Sequence, residues 1–178
     1  MPDGLCLATI EAVLTPADHQ THRRYPFDVP PGCTGLHVEV RYGPKYLAPE
    51  DSRARAEAAI GAQAASLASR LDAPQLTRAW TQAWTAIRGE RRIANLLTVS
   101  LDDTAGAYRG AGHRHAPEQH LTISPAVASP GLVAGPLPAG QWQLTLSVHT
   151  LVSGRCDVRV QIGAEMASSA PSAERSTA

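Results

Sequence analysis

Between Trp142 and Ile162 the chain alternates so regularly that it leaves little freedom about fold class. Trp142, Leu144, Leu146 and Val148 are separated by Gln143, Thr145, Ser147 and His149, and after Ser153-Gly154 the residues Cys156, Val158, Val160 and Ile162 are separated by Asp157, Arg159 and Gln161. A period of two puts alternate side chains on opposite faces of a strand, so each run presents one apolar and one polar face. The Ser-Gly break predicts that the second run returns beside the first as a hairpin. A sheet with one buried side is therefore the core of this protein.

The same period recurs upstream. Ile10, Ala12 and Leu14 alternate with Thr9 and Glu11; Tyr25, Phe27 and Val29 run up to the Pro30-Pro31-Gly32 turn; Leu36, Val38, Val40 and Tyr42 alternate with His37, Glu39 and Arg41 before Gly43-Pro44; Leu97, Val99 and Leu101 precede the turn Asp102-Asp103-Thr104-Ala105-Gly106. His120 to Ile123 reads as a short strand, and Ser124 to Gly140 as a long loop leading into Trp142. From about Pro49 to Arg88 the period changes. Ala56, Ile60, Ala64, Leu67 and Leu71, then Leu76, Trp80, Ala83, Trp84 and Ile87, lie three or four apart, the spacing of two amphipathic helices. Asp72 and Gln75 are placed as a reciprocal capping box at the start of the second helix. The expected fold is mainly β: a two-sheet, jelly-roll-like sandwich of about eight strands over residues 1–163. A helical hairpin is inserted at about 49–92 and packs on an edge or face, and a tail at 164–178 is too poor in apolar residues to order.

Sixteen lysines and arginines balance sixteen aspartates and glutamates, so no net field gathers polyanions, and nucleic acid is not an expected partner. No apolar run approaches a membrane span. The N-terminus has no basic segment and meets Glu11 before an apolar run develops, which predicts a cytoplasmic protein without a signal peptide. Cys6, Cys33 and Cys156 have no CxxC spacing and read as buried, reduced thiols.

One cluster has metal-competent side chains: His113, His115, Glu118 and His120. In a strand, His113 and His115 would share a face and could offer two imidazoles to a divalent ion. The arrangement resembles the first cupin motif, and Pro138-Ala139-Gly140 resembles part of the second. However, Glu118 follows His115 too closely, and Gln143 stands where the last cupin histidine belongs. Pro117 suggests a loop, so the expectation is a solvated polar segment with no cofactor, and metal binding is the alternative. No serine lies in a nucleophile elbow, and no phosphate-binding glycine loop opens a helix. Trp80 and Trp84 share a helix face; packing on this domain's own sheet or first helix is the primary expectation, and anchoring a protein partner or a second copy is the alternative.

Six segments stand in order along the chain: Tyr25-Pro-Phe-Asp-Val-Pro-Pro-Gly32, Leu36-His-Val-Glu-Val, Asn95-Leu-Leu-Thr-Val-Ser-Leu-Asp-Asp, Ala107-Tyr-Arg-Gly110, Ile123-Ser-Pro, and Ala128-Ser-Pro-Gly-Leu-Val-Ala-Gly-Pro-Leu-Pro-Ala-Gly-Gln-Trp142. Together they resemble the N-terminal β-sandwich region of bacterial PHP-type metallohydrolases of the carbaryl-hydrolase-like group. The resemblance spans roughly residues 8–163. In that family the metal ligands belong to the PHP domain that follows the sandwich, and no segment here matches them. What the resemblance implies is a non-catalytic accessory module for binding or assembly, with no catalytic residue to carry over. The alternative is a small cupin-like metal protein or enzyme using His113, His115 and Glu118.

Overall fold

The computed structural model describes residues 4–87, 92–112 and 115–167. Eight strands form two four-stranded antiparallel sheets: β1 (Leu5–Leu14), β2 (Thr21–Val29), β3 (Cys33–Gly43), β4 (Leu96–Asp102), β5 (Tyr108–Ala111), β6 (Glu118–Ile123), β7 (Gly140–Thr150) and β8 (Cys156–Met166). Sheet A has the order β1-β8-β3-β6 and sheet B the order β2-β7-β4-β5. This is the eight-stranded jelly roll, and the chain is mainly β, 47% strand against 22% helix. Only β4 and β5 are sequential neighbours in one sheet; every other connection passes from one sheet to the other.

The expected hairpin between the two longest alternating runs does not form. β7 pairs with β2 and β4 in sheet B, while β8 pairs with β1 and β3 in sheet A. Both runs alternate because each has one inner face, and the residues between them, with Leu151 buried, carry the chain across the end of the sandwich. The inner face of sheet A supplies Leu36, Val38, Val40, Val158, Val160 and Ile162, and sheet B supplies Phe27, Val29, Leu97, Val99, Leu101, Leu144 and Leu146. Trp142 is 1% exposed. Its indole N–H donates to the Pro138 carbonyl at 2.9 Å, and the Arg109 guanidinium carbon lies 5.1 Å from its ring centroid.

Arg109 sits on β5, a strand hidden in what reads as a polar, glycine-rich stretch. It is buried beside Asp103 and donates to the carbonyls of Pro136 and Val133 at 2.8 and 3.2 Å. The following residue must be glycine, because Gly110 has a φ of +102° and a Cβ there would collide with the Gly131 carbonyl.

The helices α1 (Pro49–Leu67) and α2 (Ala73–Ile87) occupy the β3–β4 connection. The capping box forms as expected: the Gln75 amide donates to Asp72 Oδ1 at 2.8 Å, and the Asp72 amide donates to Gln75 Oε1 at 3.1 Å. Packing on an edge or face of the sandwich does not follow. Among the described residues each helix packs substantially on the other alone, so the pair stands off as an arm. Alanine explains this, since Ala56 and Ala64 leave α1 too thin an apolar stripe to compete for a sheet face, and its only buried side chain is Ser52. At the root of the arm Tyr46 and Ala94 form an antiparallel bridge, and the Leu47 amide donates to the Ile93 carbonyl at 3.0 Å.

Asn95 ties this root to the β7–β8 crossing. It is 1% exposed, and its amide group donates to the Pro44 carbonyl and Ser153 Oγ and accepts from the amides of Val152 and Ser153, at 2.7–3.2 Å. The strand region ends later than expected. Residues 164–166 continue β8 with Ala164 wholly buried, and the rest of the expected disordered tail, 168–178, lies outside the described residues.

Candidate functional site

The histidine segment is where the sequence placed a possible metal centre. Its described residues, from His115 onward, lead from the crossing into β6 of sheet A and face two surfaces. The His115 ring meets His149 of β7 edge-on at 5.9 Å, and His149 Nε2 lies 2.7 Å from Thr98 Oγ1 on β4. Glu118 and His120 project from the exposed face of β6, where His120 Nδ1 is 3.7 Å from Glu39 Oε1. His113 lies outside the described residues. Among the described residues no three His, Cys, Asp or Glu side chains converge in a way that would hold a metal ion. Gln143 pairs with Pro26 and Asp102 on the polar face of sheet B.

A group of side chains with altered acidity lies elsewhere, at the root of the arm. Burial pushes the Tyr42 phenol up to about 12, raises the Cys156 thiol and lowers the Lys45 ammonium. Their polar atoms are committed to structure. Lys45 Nζ donates to Tyr42 Oη and to the Asn95 carbonyl, both at 2.8 Å, and the Tyr42 hydroxyl donates to the His115 carbonyl at 2.9 Å. A fully buried neutral thiol is a poor nucleophile. Cys6, by contrast, is exposed and Cys33 half-buried, so only Cys156 meets the expectation of buried thiols.

The arm carries the tryptophans. Trp80 is 41% exposed and lines a groove of about 230 Å³ with Ile60, Leu67 and Leu76, which sets it beside the first helix. The Trp84 side chain lies outside what is described. From Ala58 to Ile87 the only charged residues are Arg70, Asp72 and Arg78. Thr77, Thr81 and Thr85, one turn apart on α2, donate their hydroxyls to the carbonyls of Ala73, Thr77 and Thr81 at 2.8–2.9 Å. That internal bonding occupies the hydroxyls with the helix's own backbone. An exposed helical surface ordinarily carries about a quarter to a third charged residues; this one presents mostly alanine and threonine.

A cavity opens on the outer face of sheet A. It holds about 620 Å³ and is lined by Glu11 and Val13 of β1, Arg41 and Gly43 of β3, Glu118 of β6 and Arg159 of β8. Register explains the composition: Glu11, Arg159, Arg41 and Glu118 are consecutive cross-strand partners and form a single row across all four strands. Nothing lies within 4 Å of where a Gly43 side chain would begin, which leaves the groove open beside that row. Each of these residues reads singly as the solvated side of a strand, and only the strand order brings them together. No protein-family model matches the chain, and no curated protein matches it either.

Proposed function

We propose that this protein is a non-catalytic accessory module whose task is assembly, and that the α1–α2 arm pairs with the arm of a second copy. One observation carries the reading: a two-helix arm whose substantial packing among the described residues is helix on helix, with only three charged residues from Ala58 to Ile87. Isolated helices of this length are marginal in water, and helices in proteins draw most of their stability from packing. Two such arms placed together form a four-helix bundle in which alanines permit close approach and no block of like charge opposes association. The resemblance to the sandwich region of PHP-type metallohydrolases supports the same reading, because in that family catalysis is carried by a different domain. The reading assigns no cofactor and no catalytic residue.

The test is the oligomeric state. By light scattering on an eluting column the full chain is expected to be a dimer. A variant in which residues 49–92 are replaced by a short Gly-Ser linker is expected to be a folded monomer, since Leu47 and Ile93 are already hydrogen-bonded. A monomeric parent, or an arm-deleted chain that dimerises equally well, overturns the proposal. Stoichiometric divalent metal that is lost in a His113→Ala, His115→Ala double variant would replace it with the cupin-like alternative.

A further inference from the structure

The row across sheet A has an unusual order of charge. Its two arginines, Arg41 and Arg159, are direct cross-strand partners at the centre, and its two glutamates, Glu11 and Glu118, stand at the edges. Like charges directly opposite each other on a sheet destabilise it, and the local pairing does not offset this. Arg159 Nη1 is 3.6 Å from Glu11 Oε1, a loose and exposed contact. Arg41 makes no ion pair or hydrogen bond with any described residue. The third arginine at this groove, Arg155, is already held by Asp157 through three contacts of 2.6–3.1 Å.

Space is available beside the unpaired Arg41 and the loosely paired Arg159. The groove of about 620 Å³ is continued by a smaller cavity of about 210 Å³, and Arg41 and Arg159 line both. The larger cavity has an apolar component from Val13 of β1 and from Pro117. We infer that Arg41 and Arg159 form a binding site for a single carboxylate attached to an apolar body, the carboxylate lying across the two guanidinium groups and the body along the groove toward Gly43. Guanidinium forks match carboxylate geometry in two parallel hydrogen bonds. The flanking Glu11 and Glu118 select against polyanions, whose further charges would fall beside them. The carboxylate comes either from a free small acid or from the C-terminus of a peptide. This site is separate from the helical arm and stands or falls independently of dimerisation.

The experiment is a titration of the isotopically labelled full chain, followed by backbone amide resonances. Hexanoate and an acetylated Ala-Val-Leu peptide acid are the probes, with hexanamide and the peptide amide as their uncharged counterparts. At least one acid is expected to shift the Gly43 and Arg159 amides saturably while its amide does not, and the acid that binds identifies the source. Arg41→Gln, an exchange at an exposed position, is expected to weaken binding about tenfold, the size of one charge-assisted contact. Arg24→Gln, on the outer face of the other sheet, should leave it unchanged. No saturable shift with either acid, equal shifts with the amides, or undiminished binding in a folded Arg41→Gln variant overturns the inference.

Discussion

The sandwich and the arm are equally regular in sequence and opposite in how they hold together. In the sandwich Leu14, Leu36, Leu144, Leu146 and Ile162 reach 0% exposure, because each strand collects its large side chains on one face and two such faces close on each other. In the arm the half-buried positions Ala56, Ile60, Ala64 and Leu67 meet Leu76, Ala79 and Ala83 along a seam that remains partly open. Burial of a leucine or valine side chain contributes about 1.5–3 kcal/mol, and an alanine much less. The lesson is that periodicity marks an element, whereas the size of the residues at the repeating positions decides whether it needs something more to cover it.

Three exchanges sharpen or break this contrast. Trp142→Ala is expected to cost about 3–5 kcal/mol in global stability by denaturant unfolding, because it empties the centre of the core and releases Arg109 from its aromatic neighbour; a parent-like midpoint would mean that the core does not depend on this ring. Asn95→Ala should cost about 2–3 kcal/mol, since the amides of Val152 and Ser153 and the Pro44 carbonyl lose buried partners. That effect belongs to the sandwich although the residue lies at the root of the arm, and a loss confined to helical signal would reverse the assignment. The smallest effect is Asp72→Ala, which removes the cap of α2 and costs about 1 kcal/mol. It should speed amide exchange in the first turns of α2 about fivefold and leave the global midpoint in place. A shifted global midpoint would show that arm and sandwich unfold together.

Strand faces were legible in the sequence because alternation is a local property. The inward residues expected on β3 and β4, from Val38 to Leu97, are in the core, as are Phe27 and Val29 of β2 and Leu144 and Leu146 of β7, while Tyr25 is only partly buried against it. Which strands pair was not legible. β7 and β8 have the sequence of a hairpin, and the crossing between them is fixed by Leu151 and by Asn95, more than fifty residues upstream. β5 escaped notice because Tyr108-Arg109-Gly110-Ala111 has no apolar alternation: its buried side chain is an arginine whose charge is satisfied by loop carbonyls and Asp103. The turn at Asp103 was readable, and its carboxylate accepts from the amides of Ala105 and Ala107 as an aspartate turn does. In the histidine segment the residue types were readable, but not that His115 meets His149 of sheet B while Glu118 and His120 stand on the exposed face of β6. The arginine pair of sheet A was invisible for the converse reason, since Arg41 and Arg159 are 118 positions apart in sequence and adjacent only in register.

The strand order also sets a timetable for the nascent chain. β8 is an interior strand of sheet A, bonded to β1 on one side and β3 on the other, and β7 holds the same position in sheet B between β2 and β4. The strands that emerge last from the ribosome are thus the ones on which both sheets are assembled. β2 has no partner until β7 emerges, and until residue 166 is free of the exit tunnel β1 has none and β3 has only β6. Unpaired apolar strands are the species that associate wrongly, and topologies dominated by distant pairings fold slowly. For β1 the hazardous interval ends only when synthesis has passed β8, whereas the β4–β5 hairpin and the β3–β6 pair can form without waiting for it.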